Sequence, residues 1–323
     1  MILSHWKQCN VDVIGVSHKK HQEPCQDRSA HLEKNGVRVI ALCDGAGSKK
    51  HAELGAAAVS EMICSIVSEK FDAMFEKLED QPTVENHVGQ EIIKTIETGL
   101  QQILTKHGLK SIQDLSTTLL FFAIKDERYL SGHIGDGVIG KLHKHKDTYY
   151  TEVFSKPENG GAPNITFFIT DPNAHQHLRL YSGYLSQSLK AIVLMSDGPE
   201  EVLYDAKADA FNPYLINILS IFNGKSQLGY QETLKRFLTE KVANYSYDDL
   251  SMNVLYLERE DADFYASKSN DYKEAIMKKL VSNHALIRQS AYAYHLDDSV
   301  AKGAVSDKAQ KRLKEIVYGA NAR

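Results

Sequence analysis

Three Asp-Gly pairs, each directly after a β-like run, are the feature of this 323-residue chain that most limits how it can fold. The pairs are Asp44-Gly45, Asp136-Gly137 and Asp197-Gly198. One such pair alone usually marks a tight hairpin turn. The pairs at Asp44 and Asp197 instead lead into segments of helical character, so they are poor hairpin turns. We therefore expect carboxylates that are held at strand ends and still reach solvent.

The chain from residue 11 to about residue 258 alternates β-rich runs with amphipathic stretches. Runs rich in Val, Ile, Leu and aromatic residues predict strands over 11–17, 37–43, 117–124, 128–135, 165–170, 178–185, 191–196 and 252–258. Apolar residues at three- and four-residue steps predict a helix on each side of Pro82, and further helices over 212–222 and 228–243. Strict βαβ alternation is absent, so the order favours an α+β layered domain over a doubly wound parallel sheet.

Composition narrows the class of protein. The net charge of −4 argues against a dedicated nucleic-acid binder. No apolar run reaches about 18 residues and the first residues lack a secretory signal, so we expect no membrane span and a cytoplasmic location. The four cysteines form no CxxC pair, so reduced, mostly buried thiols are expected, with a zinc site as the alternative.

The segment 261–323 differs from the rest because it has a basic balance and no β-rich run. We predict a main domain over 1–260 followed by a helical C-terminal extension over 261–323. The simpler interpretation of this extension is a cap on the main domain. A separate module that binds a partner is the alternative.

Further acidic residues complete a possible metal site. Asp27 follows an extended segment, and Asp248-Asp249 directly precedes the last predicted strand. Mg²⁺ and Mn²⁺ prefer oxygen ligands, so a group of aspartates fits these ions better than zinc. Two such ions could activate a water for attack on phosphorus without a covalent intermediate. An aspartyl nucleophile of the haloacid-dehalogenase type is disfavoured, because Asp44 is not the first residue of an Asp-x-Asp pair.

Six short motifs stand in one order along the chain. They are QDR (26–28), DGAGS (44–48), STTLL (116–120), GDG (135–137), MSDG (195–198) and DDLS (248–251). This order resembles the metal-dependent serine/threonine protein phosphatases of the PPM, or type 2C, family, and DGAGS resembles its divergent bacterial branch. The resemblance implies an αββα sandwich of two antiparallel sheets flanked by helix pairs. It also implies a variable flap beside the active site within residues 150–190.

The resemblance further implies roles for the acidic residues. Asp44 would bridge two Mg²⁺ or Mn²⁺ ions, and the Gly45 carbonyl would bind one of them. Asp197 and Asp248 would bind the other ion, with Asp249 as the alternative to Asp248. Two more residues complete the implied site: Asp136 would bind a third, weaker ion, and Asp27 would orient the attacking water.

Three positions depart from the family pattern. Gln26 replaces a usual Glu, and Ala46 replaces a His proposed as general acid in some relatives, which leaves protonation of the leaving group to water. The usual phosphate-binding Arg is missing, and His18, Lys19 or Lys20 are the candidates to replace it.

The function implied is hydrolysis of phosphoserine and phosphothreonine in a phosphorylated protein, with a cognate kinase as a further partner. The departures leave open an alternative, a catalytically weak module of the same fold that binds a phosphoprotein or a kinase.

Overall fold

Two five-stranded antiparallel sheets form the centre of the fold. The structure is a computed structural model that describes residues 5–80, 85–158, 166–222 and 225–258. Its strands are β1 (Trp6–Val13), β2 (Arg28–Lys34), β3 (Val37–Cys43), β4 (Leu119–Lys125), β5 (Arg128–Ile134), β6 (Val138–His145), β7 (Thr148–Ser155), β8 (Arg179–Tyr184), β9 (Leu189–Met195), β10 (Tyr204–Asp205), β11 (Ala210–Phe211) and β12 (Leu250–Leu257). The first sheet has the order β1-β12-β9-β6-β7, and the second has the order β2-β3-β4-β5-β8. Strands β10 and β11 form a separate pair.

The two sheets pack face to face through apolar side chains. Ile40 of β3 lies opposite Phe122 of β4 in the second sheet, and both belong to the same buried cluster as Leu194 of β9 and Leu255 of β12 in the first. Alternate residues of β3, such as Val39, point to the opposite face and join a different cluster. Strand β3 is therefore buried on both faces, which explains why its sequence is a continuous apolar run.

Helices cover the outer face of each sheet. The described α-helices are α1 (Val16–His21), α2 (Ala52–Asp80), α3 (Glu85–His107), α4 (Asp197–Leu203), α5 (Pro213–Ser220) and α6 (Gln227–Glu240). Helices α2 and α3 bury their apolar stripes against the second sheet, and α5 and α6 do so against the first. The predicted α+β sandwich of two antiparallel sheets between helix pairs is confirmed.

The first predicted strand is too long at its C-terminal end. Strand β1 ends at Val13, and helix α1 begins at Val16. Gly15 lies between them at a close approach of two backbones, because a Cβ atom there would lie 2.4 Å from the carbonyl carbon of Asp248. The chain must therefore turn where the apolar pattern alone predicted that the strand continues.

The strand predicted over 165–170 is wrong for its described part, residues 166–170. Only a single bridge position occurs there, followed by a turn. The Phe168 N–H donates to the Asp171 carboxylate, and the Ile169 N–H donates to the Thr117 carbonyl. Ile169 is fully buried, so the apolar run reflects packing of a loop rather than a strand.

Strands β2, β6 and β7 were missed because their sequences lack a continuous apolar run. Strand β7 is an edge strand whose residues are mostly half-buried or exposed. The predicted boundary at residue 260 and the helical extension over 261–323 lie outside the described residues. Among the described helices, none has a stretch long and apolar enough to cross a lipid bilayer.

Candidate metal centre

The three Asp-Gly pairs converge on one point. Asp44 follows β3, Asp136 follows β5, and Asp197 begins α4 directly after β9. One carboxylate oxygen from each residue can be chosen so that all three lie within 4.8 Å of one another. Two of these strands belong to the second sheet and one to the first, so the sandwich itself brings the aspartates together.

The backbone of Asp44 is fixed, although its side chain faces a cleft. The Asp44 N–H donates to Thr118 Oγ1 at 3.0 Å. The Thr117 hydroxyl and the Thr118 N–H both donate to the Asp44 carbonyl at 2.8 Å. At the next residue, a Cβ atom on Gly45 would lie 2.8 Å from the Cβ of Ala52, so helix α2 can begin this close only beside a glycine. These contacts fix the backbone that carries the carboxylate of Asp44.

The electrostatics of the three aspartates are unfavourable without a cation. Burial, followed by repulsion from neighbouring carboxylates, raises the pKa of Asp44 well above its ordinary value and that of Asp197 to about 7. Burial also raises the pKa of Asp136, although the Thr166 hydroxyl donates to one of its oxygens. Its other oxygen, Oδ1, is buried without a hydrogen-bond partner among the described residues.

An oxygen-only donor set with this excess of negative charge suits a hard divalent cation. The residues present therefore fit Mg²⁺ or Mn²⁺. Among the described residues, neither of the two groups with metal-ligand spacing contains a cysteine. All four cysteines are free thiols, and three of them are buried.

Asp248 and Asp249 have different surroundings although they are adjacent. Asp248 is exposed, lines the cleft with the three aspartates, and raises the pKa of Asp197. Asp249 is buried, and its Oδ1 and Oδ2 each accept a backbone N–H at 2.6 Å, from Gly15 and Gln26 respectively. His18 Nδ1 lies 2.9 Å from the same Oδ1. Both oxygens of Asp249 are thus engaged by the protein.

Asp27 lies behind the cleft rather than at its surface. Its side chain is only 1% exposed and accepts a hydrogen bond from Ser196 Oγ at 2.7 Å. Burial and the nearby Asp197 carboxylate raise the pKa of Asp27 well above its ordinary value. Asp27 is therefore near Asp197 but is not part of the cleft lining.

The cleft has a volume of about 360 Å³. Among the described residues, its lining is Ser17, His18, Gln26, Asp44, Gly45, Ala46, Gly47, Thr118, Asp136, Thr166, Phe168, Tyr247, Asp197 and Asp248. His18 is the only basic side chain in this set, since Lys19 and Lys20 are exposed and absent from the lining.

Sequence reasoning missed several lining residues. Thr166 and Phe168 line the cleft and lie in the region of the expected flap, but the apolar pattern predicted a strand there. Ser17 was placed in a strand as well. Tyr247 carried no signal except its position directly before Asp248, which could have marked it as a neighbour of the site.

Comparisons with known proteins agree with this geometry. Residues 14–239 match the family model described as protein phosphatase 2C. Comparison with curated protein sequences gave no match.

Among solved structures, the chain is similar to a bacterial serine phosphatase, with 16% identity, coverage of 79% of this chain and 98% of the other, and a TM-score of 0.53. It is similar to a serine/threonine phosphatase from S. agalactiae, with 18% identity, coverage of 78% and 100%, and a TM-score of 0.55. It is also similar to the serine/threonine phosphatase Stp1 from Staphylococcus aureus, with 16% identity, coverage of 78% of this chain and 95% of the other, and a TM-score of 0.52. At these identities the likeness concerns the fold.

Proposed function

The chain belongs to the protein phosphatase 2C family, and we propose that it hydrolyses phosphoserine and phosphothreonine in a phosphorylated protein. The convergence of Asp44, Asp136 and Asp197 in one open cleft carries the proposal. Three half-buried carboxylates that repel one another are costly to keep in a folded protein unless a cation compensates them. A cognate kinase that supplies the phosphorylated substrate is part of the proposal.

Mg²⁺ or Mn²⁺ would be held by residues that line the cleft. Asp44 would bridge two ions, with the Gly45 carbonyl as a further ligand, and Asp197 and Asp248 would complete the pair of sites. Asp136 would hold a third ion. Such ions supply Lewis-acid stabilisation of the phosphate charge and a lowered pKa of water.

The choice of Asp248 rather than Asp249 as a ligand is supported by their hydrogen bonds. Asp249 already accepts the N–H groups of Gly15 and Gln26, whereas Asp248 has an exposed carboxylate in the cleft. Asp249 would then act as a positioning residue that holds His18 and the start of helix α1.

His18 is proposed to bind the substrate phosphate in place of the missing arginine. Burial alone would lower the pKa of His18, but the Asp249 carboxylate, 2.9 Å from Nδ1, raises it above its ordinary value. A protonated imidazole held through Nδ1 can donate its Nε2–H to a phosphate oxygen. The Glu23 carboxylate lies 3.9 Å from Nε2, so it does not form a short ion pair with this nitrogen.

Asp27 is proposed to orient the attacking water from beneath the cleft. Its carboxylate accepts a hydrogen bond from the hydroxyl of Ser196, and the nearby charge of Asp197 raises its pKa. Because Ala46 carries no acidic proton, water would also protonate the leaving serine or threonine oxygen.

The first test is release of inorganic phosphate from a phosphoserine peptide, in Mn²⁺ and again in EDTA. We expect turnover with Mn²⁺ and none with EDTA. Equal turnover in both conditions would contradict the proposal.

The second test is replacement of His18 by alanine. We expect His18→Ala to raise KM for the phosphopeptide about tenfold, because a charged hydrogen bond to phosphate is lost. The matched control is Lys19→Ala, which removes an exposed cation outside the cleft and should leave KM unchanged.

A catalytically weak module that binds a phosphoprotein or a kinase is the second candidate. It is favoured by Gln26, a neutral residue in the cleft, and by the lack of Lys or Arg in the described lining. Robust turnover of the phosphopeptide would eliminate this candidate. Calorimetry that detects binding of a phosphopeptide without metal uptake or turnover would support it.

A further inference from the structure

Two exposed tyrosines lie in the loop that leads to the cleft. The side chains of Tyr245 and Tyr247 are both 77% exposed, and Tyr247 lines the cleft. Val16, which is 46% exposed, begins helix α1 beside Ser17, another lining residue. We call the two tyrosines, Tyr245 and Tyr247, together with the neighbouring Val16, the aromatic rim.

The backbone under the aromatic rim is held by hydrogen bonds. The Ser17 N–H donates to the Tyr247 carbonyl at 3.0 Å, which ties helix α1 to the tyrosine loop. Ser246, between the two tyrosines, is buried, and its Oγ accepts the Asp248 N–H at 3.3 Å. The Tyr245 N–H donates to the Val242 carbonyl at 2.9 Å. The tyrosine rings are therefore presented to solvent by a fixed loop.

Exposed aromatic rings on a fixed backbone beside a cleft are typical of recognition surfaces. A phosphate over Asp44, Asp136 and Asp197 would place the neighbouring residues of a peptide beside Tyr247, since successive residues are only about 3.5 Å apart in an extended chain. The exposed carboxylate of Asp248 directly follows Tyr247, so an acidic neighbour in the peptide would be repelled. Val16, Tyr245 and Tyr247 themselves carry no charge and expose apolar surface, so this surface is suited to an apolar residue.

We propose that the aromatic rim binds an apolar side chain next to the phosphorylated residue of the substrate and so determines substrate specificity. This inference rests on the proposed phosphatase function. It assigns Tyr247 the main contact, because this residue lines the cleft itself.

The experiment compares three substrates with Mn²⁺ present. Two phosphoserine peptides are identical except for leucine or alanine on both sides of the phosphoserine, and the third substrate is p-nitrophenyl phosphate, which has no flanking residues. For the unaltered protein we expect kcat/KM to be about tenfold higher for the leucine peptide than for the alanine peptide. Tyr247→Ala should remove this preference, and Tyr247→Phe should keep it.

The ratio of kcat/KM for the leucine peptide to that for p-nitrophenyl phosphate should fall in Tyr247→Ala and be kept in Tyr247→Phe, which separates lost recognition from a general loss caused by damage at Asp248. The matched control is Tyr214→Ala, since Tyr214 is 66% exposed but does not line the cleft. Equal kcat/KM for the two peptides in the unaltered protein would overturn the inference, as would an equal loss on all three substrates in Tyr247→Ala. Lack of turnover of every substrate by the unaltered protein would instead refute the phosphatase function, and the inference with it.

Discussion

The buried carboxylate of Asp249 and the half-buried carboxylates of Asp44 and Asp197 lie in the same part of this molecule, but their surroundings are opposite. Asp249 is surrounded by donors, namely the Gly15 and Gln26 N–H groups and the imidazole of His18. Asp44 and Asp197 face each other and further carboxylates, and their pKa values are raised. A carboxylate with donors at both oxygens adds to the stability of the fold, whereas carboxylates that repel one another are stabilised when a cation binds. The hydrogen-bond partners therefore distinguish Asp249 from Asp44 and Asp197, the proposed metal ligands.

Asp44→Asn gives the largest expected effect. It removes the central charge of the repelling set but keeps the size of the side chain, so metal-dependent turnover of p-nitrophenyl phosphate should fall by about a thousandfold or more. In EDTA the same variant should be at least as stable as the unaltered protein, because repulsion is relieved. Near-normal turnover would show that Asp44 is not needed for metal-dependent activity, and it would contradict the distinction drawn between Asp44 and Asp249.

Asp249→Ala should have the next largest effect, on stability. It leaves the Gly15 and Gln26 N–H groups without their acceptors, so we expect the free energy of unfolding to fall by about 2–4 kcal/mol. Urea denaturation in EDTA measures it. The control is Asp248→Ala, which removes the adjacent exposed carboxylate and should change stability by less than about 0.5 kcal/mol.

The pH dependence of the metal-free protein should show a smaller effect. The pKa of Asp197 is raised from 3.8 to about 7, so between these values the folded state binds more protons than the unfolded state. The free energy of unfolding should therefore decrease as pH rises, by about 2 kcal/mol between pH 5 and pH 7. Urea denaturation in EDTA at both pH values tests this, and Asp197→Asn should flatten the dependence. A slope of opposite sign would contradict the assigned repulsion.

The sequence was most informative where burial is one-sided or complete. The long helices α2 and α3 and the strand β3 follow from apolar periodicity, because their buried faces are set by one sheet or one core. The edge strand β7 and the loop around Ile169 were missed or misassigned. An edge strand is exposed to solvent, and a buried loop can be as apolar as a strand, so composition does not separate these cases.

The amino-acid sequence alone is enough to place Asp44, Asp136 and Asp197 near the ends of buried strands, because an apolar run followed by Asp-Gly leaves few other local structures. The different surroundings of the neighbours Asp248 and Asp249 become visible only in the folded chain. The donors that engage Asp249 come from Gly15 and Gln26, which are 234 and 223 residues away along the chain. Asp248 and Asp249 are identical residues in nearly the same local sequence. Their surroundings differ because hydrogen bonding depends on which distant backbone groups the packed sheets bring within reach.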